Sequence, residues 1–325
     1  MNTAEKLLKF ISKNNAVTID TMAEKMAISR QYAHILVKKM IDDGKLKKIG
    51  TPPHVFYSIN SLNNTSENDT INYENELFLN THFLLVDALG NKLRGLKAMQ
   101  YWCSNQQLPL QKTTDEFIET RKKYLAFYNN EHLIDGLQKL QNTKGIGNLG
   151  VDELYYLDFY AIERYGKTHL GCLMHYAKQG QNKKLMQIIV DEIKNRVQHL
   201  VQLHHIDAVL YVPPTIKRKL QIMHFLQKEL NLTVPLIAIK KISNEIVIPQ
   251  KALSKLFERV ANAKNTFIVP TQKKYNKILI IDDATGSGAT INEIALKLKT
   301  QKVAKHITGL AITGSYKGFE VLSEI

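Results

Sequence analysis

The chain has 325 residues, which is enough for two or three domains with hydrophobic cores of their own. Its 44 Lys and Arg against 30 Asp and Glu give a formal net charge of +14, which favours a polyanionic partner, nucleic acid before a membrane surface. A lysine-rich protein without such a partner is the alternative. The two cysteines form no C-x-x-C pair and argue against a zinc ribbon or a disulfide framework. No signal peptide and no apolar run of membrane-spanning length occurs, so we expect a cytoplasmic protein without a membrane partner.

The first 60 residues predict three helices followed by a β-hairpin. Asp20 or Thr21 can cap the second helix, residues 22–26, and Ser29 can cap the third, residues 30–41. Two β-prone stretches around a Gly-Thr-Pro-Pro turn predict the hairpin. The segment carries ten basic and five acidic residues, so its excess charge is positive.

This order of elements resembles the winged helix-turn-helix of bacterial transcription regulators. In that family the third helix enters the major groove of DNA. The implied base-reading residues are Arg30, Gln31, Tyr32 and His34, and the implied phosphate contacts are Lys38, Lys39, Lys45, Lys47 and Lys48. A winged helix used only for protein contacts is the alternative.

The middle of the chain offers no catalytic constellation. Residues 61–72 are polar and lack periodicity, which predicts a linker. Residues 73–150 read as a helical region, a spacer or dimerisation module, so a homo-oligomer is expected. The run Gly145-Ile-Gly-Asn-Leu-Gly150 follows a predicted helix and not a strand, which favours a hinge over a dinucleotide site.

From residue 151 onward, strands and helices alternate, which predicts an α/β domain with a parallel sheet over residues 151–325. Predicted strands at 208–212 and 234–239 end close to basic residues. These are Lys217, Arg218 and Lys241, and they are expected at the sheet edge that binds ligands in such folds.

The most informative stretch is residues 278–290, Ile-Leu-Ile-Ile-Asp-Asp-Ala-Thr-Gly-Ser-Gly-Ala-Thr. Four aliphatic residues in a row predict a strand buried on both faces. Asp282 and Asp283 follow it, and then come a glycine-rich turn and a helix. Glycines and helix-start amides suit a phosphate, while the carboxylates suit sugar hydroxyls or a magnesium-bound phosphate ester. The combination indicates a phosphorylated ribose.

This stretch resembles the phosphoribosyl pyrophosphate (PRPP) signature of type I phosphoribosyltransferases. The resemblance implies that Asp282 and Asp283 bind the ribose and Mg²⁺, the latter through PRPP or water. It implies a 5-phosphate loop made of Thr285, Gly286, Ser287, Gly288, Ala289 and Thr290, and pyrophosphate contacts from Lys217, Arg218 and Lys241. Gly286 departs from the family, which more often has Thr there.

Residues 248–267 resemble the ComF-like members of that family, with Gln, Leu-Ser, Arg, Asn and Phe in order before the PRPP strand. In those proteins the segment is a mobile cover, so Arg259, with Lys251 and Lys255, is expected to close on the phosphates. Two ComF features are absent from the sequence. One is the four-Cys zinc element, and the other is the Arg-Gly-Phe-Asn run after the first basic loop.

Three functions remain open at this point. The domain can transfer a phosphoribosyl or N-glycosyl group to or from a base or nucleotide, with Tyr316 or Phe319 either stacking on the base or packing in the core. Alternatively, it can sense PRPP or a nucleotide without turnover and regulate transcription through the winged helix. A minor alternative is an antiviral-defence effector partnered by a reverse transcriptase and its retron RNA–DNA.

Overall fold

The computed structural model describes residues 3–14, 16–50, 52–53, 55–59, 71–214, 216, 218–242, 253 and 255–316. By its internal packing the chain divides into two compact units, Met1–Glu116 and Phe117–Ile325.

The first unit begins with three helices and an antiparallel hairpin. They are α1 (Thr3–Asn14), α2 (Ile19–Met26), α3 (Arg30–Asp42), β1 (Leu46–Ile49) and β2 (Phe56–Ile59). Ser29 caps α3 as predicted, accepting the amide of Tyr32 at 3.1 Å. The predicted cap of α2 was wrong, because Thr18 accepts the amide of Thr21 and the helix starts at Ile19.

One hydrophobic core holds these five elements together. Each helix contributes the residues of one face, and the hairpin closes the core from the other side. The buried members are Leu7, Ile11, Val17, Ile19, Met22, Ala33, Val37, Met40, Leu46 and Tyr57. Val17 also pairs with Tyr57 through two backbone hydrogen bonds of 2.8–3.0 Å, which ties the start of α2 to the hairpin.

Residues 71–116 are not wholly helical, which corrects the prediction for this region. The elements are α4 (Tyr73–His82), β3 (Leu84–Val86), β4 (Lys92–Arg94), α5 (Gly95–Gln106) and α6 (Leu110–Leu125), which crosses the boundary between the units. The Asp87 carboxylate accepts the amides of Leu89 and Asn91, and Gly90 adopts φ +81°. This local turn joins β3 to β4 in a hairpin that helical periodicity could not reveal.

The second unit is an α/β structure built on a mostly parallel five-stranded sheet, as predicted. The second unit contains, inside and outside that sheet, the strands β5 (Ile134–Asp135), β6 (Glu153–Phe159), β7 (Ala161–Ile162), β8 (Gly166–Lys167), β9 (Ala208–Tyr211), β10 (Lys240–Lys241), β11 (Phe267–Ile268), β12 (Tyr275–Thr285) and β13 (Ala304–Gly314). Its other helices are α7 (Leu137–Gln141), α8 (His169–Gln179), α9 (Lys183–Leu203), α10 (Ile222–Leu230), α11 (Leu256–Thr266) and α12 (Ala289–Thr300).

The order of strands across this sheet is β5-β6-β13-β12-β9. The last four are mutually parallel, and β5 is an antiparallel edge strand. The strand predicted at 234–239 is reduced to one parallel bridge between Leu236 and Val209. Lys240 and Lys241 form β10, which pairs with β11 outside the main sheet.

Strand β12 is central and is buried on both faces. Ile278, Leu279, Ile280 and Ile281 are all fully buried and pair with β9 on one side and β13 on the other. The aliphatic run therefore has the position that the sequence predicted for it. Because the strand is central and parallel to its neighbours, the two acids near its C-terminal end lie at the carboxyl edge of the sheet.

Three further features of the chain bear on predictions made from the sequence. Gly150 is not a hinge point: its amide donates to the Asn292 side chain at 2.8 Å, and a Cβ would lie 2.3 Å from the Leu296 backbone nitrogen. Cys103 and Cys172 are both buried, and no disulfide joins them. Within the described ranges, no helix combines the length and apolar character needed to cross a membrane.

Candidate functional site

A cleft with a volume of about 170 Å³ opens at the carboxyl edge of the sheet. Residues from the ends of β9 and β12, from α8, α10 and β11, and from the first turn of α12 line it. They are Lys178, Val212, Pro213, Pro214, Ile216, Arg218, Gln221, Ile222, Met223, Phe267, Asp282, Asp283, Ala284 and Thr290. The predicted acid pair and one predicted cation, Arg218, thus share one cleft.

Lys178 is a part of this cleft to which the sequence analysis gave no role. Its ammonium forms an ion pair with the Asp283 carboxylate, and the two side chains are mostly buried. Thr168 starts α8 by accepting the amide of Gly171, and Lys178 lies in the last turn of that helix. Since 105 residues separate the partners in the chain, no local pattern could connect them.

Asp282 is half-buried and carries a strongly perturbed carboxyl group. Burial and the neighbouring charge of Asp283 raise the pKa of Asp282, while Lys178, the Asp283 amide and Lys241 act in the opposite direction. The Asp283 amide donates to Asp282 Oδ1 at 2.8 Å. The net shift means that the group holds a proton more readily than an exposed Asp, so a ligand bearing a cation would favour its ionised form.

The predicted cations have different positions. Arg218 lines the cleft, and its Nη2 donates to Gln179 Oε1 at 3.1 Å. Lys241 Nζ lies 5.1 Å from the centroid of the ring of Phe267, which lines the cleft. Burial lowers the pKa of Lys241, and the charge of Asp282 opposes that shift without cancelling it. Lys217 lies outside the described residues.

The predicted cover segment is described only in part. Lys251 lies outside the described residues. Arg259 lies on α11, where its Nε donates to the Leu253 carbonyl at 2.7 Å. Among the described residues, Arg259 is not one of those that line the cleft.

The glycine-rich turn is short, because β12 ends at Thr285 and α12 starts at Ala289. Gly288 is the N-cap, with φ +78°, and has no side chain of its own to cap the helix, while Ser287 Oγ accepts the amide of Ala289 at 3.3 Å. The other amides of the first helical turn lack intrahelical partners by geometry, so this helix start suits an anion. Thr285 and Ser287 are buried, so a phosphate would depend on backbone amides and on Thr290, which lines the cleft.

Tyr316, considered a candidate for base stacking, belongs to a cluster of four rings with Tyr124, Phe127 and Phe159. The rings of Tyr316 and its three neighbours meet edge to face, with centroids 5.2–5.6 Å apart. Such packing is typical of an aromatic core, although 37% of Tyr316 remains exposed. Phe319 lies outside the described residues.

The residues predicted to contact DNA are mostly on the surface of α3 and the hairpin. Those that are exposed are Arg30, Gln31, Tyr32, His34, Lys38, Lys39, Lys45 and Lys48, while Lys47 is half-buried. Arg30 also forms an exposed ion pair with Asp20 at 3.1 Å. The sequence analysis missed Ile35, which is 64% exposed on the same outward face as Gln31 and Lys38. An aliphatic side chain there can contact a thymine methyl group or a protein partner.

The described residues contain no group of three or more His, Cys, Asp or Glu side chains arranged to hold a metal ion. Asp282 and Asp283, the pair for which the sequence predicted Mg²⁺ binding, are two carboxylates and do not form such a group. A comparison with protein-family models finds no match to this chain, and a comparison with curated proteins finds no significant match either.

Proposed function

We propose that the second unit binds a phosphorylated ribose carrying a leaving group at C1, such as PRPP or a nucleotide. The observation that carries this proposal is the shared cleft, in which a carboxylate pair near the end of a central buried strand is followed by a helix start with glycine as its N-cap. The carboxylates suit the ribose hydroxyls, and the helix start suits the 5-phosphate. Arg218 supplies a cation on the same cleft wall.

Mg²⁺ fits this arrangement if it arrives with the ligand. Magnesium is commonly held by one or two carboxylates together with substrate phosphates and water. Asp282 and Asp283 provide two such groups, and Lys178 neutralises one of them in the free protein. Bound there, Mg²⁺ would neutralise charge on a pyrophosphate leaving group.

The favoured activity is phosphoribosyl or N-glycosyl transfer. The bond at C1 would break through an oxocarbenium-like transition state, with negative charge developing on the leaving group. Arg218 and Lys241, with Lys217 next to Arg218 in the sequence, would stabilise that charge, which is the kind of interaction that accelerates a chemical step.

A non-catalytic sensor is the second candidate, and one observation favours it. The charged groups of the cleft already have partners, since Lys178 pairs with Asp283 and Arg218 donates to Gln179. A ligand would have to exchange these contacts, and such an exchange can move α8. A protein that only reports ligand binding needs this movement and not turnover.

We also propose that the first 59 residues form a winged helix that binds DNA. The support is an exposed row of basic and polar side chains on α3 together with lysines on the hairpin. Two exposed apolar residues near them, Ile35 and Phe56, favour the alternative of a protein contact.

One experiment separates these functions. Calorimetric titration of the full chain with PRPP and Mg²⁺ is expected to show binding, and the double variant Asp282→Asn, Asp283→Asn is expected to lose it while remaining folded. The same samples are then assayed for pyrophosphate release with common bases and nucleotides. Release supports the enzyme, whereas binding without release, combined with a PRPP-dependent change in DNA affinity, supports the sensor. Wild-type protein that binds neither PRPP nor nucleotides would refute the proposal.

A further inference from the structure

Lys139 makes two contacts that are distant in the chain. It lies on α7, and its Nζ donates to the carbonyl oxygen of Gly286 at 2.7 Å and to that of Ser315 at 2.6 Å. Gly286 belongs to the turn between β12 and α12, and Ser315 follows β13. One ammonium group therefore joins the glycine-rich turn to the neighbouring loop at the carboxyl edge of the sheet.

Helix α7 also packs directly against this turn. A Cβ at Gly288 would lie 2.8 Å from Leu140 Cδ1 and 3.6 Å from Leu154 Cδ2. The turn consequently has no space to move toward α7. The contacts of Lys139 and Leu140 act on the same three-residue turn from the same helix.

The geometry of the peptide bond fixes the direction of the amide that follows the anchored carbonyl. In a planar trans peptide, the carbonyl of one residue and the amide of the next point to opposite sides. Because the Gly286 carbonyl points toward Lys139, the amide of Ser287 points away from α7. An ammonium held beneath the turn also adds positive potential for an anion bound on its other side.

We propose that Lys139 is a positioning residue for phosphate binding, holding the carbonyl side of the turn at residues 286–288 so that its amides stay directed at a phosphate group. This inference rests on the proposed function, in which the turn binds the 5-phosphate. Lys139 itself does not touch the ligand in this arrangement.

The ionisation of Lys139 gives the proposal a distinctive signature. Burial lowers the pKa of Lys139 to about 8. Its charge is present at neutral pH and is lost as the pH rises above 8. A phosphate ester remains a dianion over that range, since its second pKa is about 6. The affinity for phosphate should therefore fall between pH 7.5 and 9.5 because Lys139 loses its charge, and not because the charge of the ligand changes.

The test uses the full chain and ribose 5-phosphate in calorimetric titrations at both pH values. Lys139→Met keeps the length of the side chain but removes its charge and donors, and it is expected to weaken binding about tenfold at pH 7.5. Its affinity should vary little with pH. Lys139→Arg stays charged at pH 9.5. It should therefore bind ribose 5-phosphate more tightly at that pH than Lys139→Met does. Lys144→Met, at an exposed lysine shortly after α7, is the matched control and should behave like wild type.

Lys241 needs its own control, because burial lowers the pKa of that lysine as well. The Lys241→Met variant should keep the fall in affinity between pH 7.5 and 9.5. If it abolishes the fall, Lys241 is the titrating group and the inference is wrong.

The outcomes distinguish the inference from the proposed function. Wild-type protein that does not bind ribose 5-phosphate overturns both. Wild-type binding with an unchanged Lys139→Met variant overturns only the role of Lys139. If Lys139→Met does not fold, the wild-type pH profile decides, and a profile that is flat from pH 7.5 to 9.5 overturns the inference.

Discussion

Asp282 is held where a carboxylate is poorly solvated, and this has a consequence for stability. The pKa of Asp282 is raised from 3.8 to about 7, mainly by burial and then by the charge of Asp283. The folded chain therefore binds this proton more tightly than the unfolded chain does. Between about pH 4 and 7 stability falls as the pH rises, and above pH 7 the destabilisation is complete.

We predict that Asp282→Asn raises the melting temperature at pH 8 by at least about 2–4 °C, the shift that about 1 kcal/mol produces in a domain of this size. The gain should shrink toward zero at about pH 3, below the ordinary Asp pKa of 3.8, where the carboxyl is mostly protonated in both states. Thermal unfolding of wild type and variant at both pH values measures it. Asp191→Asn, at an exposed acid on α9, should change neither melting temperature. A variant less stable than wild type at pH 8 would contradict the assigned ionisation.

At the scale of single elements, a buried ion pair joins α6 to β6. Arg121 Nη1 and Nη2 donate to the two Asp158 carboxylate oxygens at 3.0 and 2.9 Å, and both side chains are less than 10% exposed. The desolvation of two charges offsets most of their attraction, but removal of one partner leaves the other charge buried and unpaired.

Asp158→Asn and Arg121→Met should therefore each destabilise the second unit by about 3–5 kcal/mol. The double variant Asp158→Asn, Arg121→Met should lose less than the sum of the two single changes. Urea denaturation of the four proteins in a mutant cycle gives the coupling energy. Strictly additive losses would mean that the pair does not act as a unit.

Helix α3 offers a second test at this scale, because its exposed residues differ in chemistry. Lys38→Ala with Lys39→Ala should weaken binding to every duplex and reduce the slope of log affinity against log salt by about 1–2. Ile35→Ala should leave that slope unchanged and alter the preference between duplexes, if the side chain contacts a base. Binding is followed by fluorescence anisotropy over a salt series. If wild type shows no salt-dependent DNA binding, the first unit is a protein-contact module.

The elements also show what the sequence could and could not reveal. Residues 278–290 were predictable because strand, acids, turn and helix follow one another without interruption. The hairpin of β3 and β4 was not, since its turn depends on side-chain bonds from Asp87. Lys178 and Lys139 were missed as site residues because they reach Asp283 and Gly286 from 105 and 147 residues away. Contacts of that separation are set by the sheet order and leave no periodic trace in the chain.

At the scale of the whole molecule, the question is whether a ligand in the second unit undergoes a reaction, alters the affinity of the protein for DNA, or does both. Arg218→Ala, alone or with Lys217→Ala, should lower turnover by roughly 10²-fold if the domain is an enzyme, because these cations act on charge that develops during the reaction. The dissociation constant for PRPP should rise much less. Steady-state pyrophosphate release and calorimetry on the same variants measure the two effects. Equal losses in both would indicate a ground-state binding role only.

The two buried cysteines make this question accessible to fluorescence. Cys103 is buried, and burial raises the pKa of the Cys172 thiol to about 12, so neither thiol should react readily with maleimide dyes. Cysteines introduced at exposed positions, such as Glu24→Cys in the first unit and Gln301→Cys in the second, should therefore label selectively in the otherwise native chain. Energy transfer between the two dyes would report, molecule by molecule, whether PRPP changes the distance between the labelled positions in the first and second units. A sensor requires such a change, or a change in dynamics, whereas an enzyme can work without either.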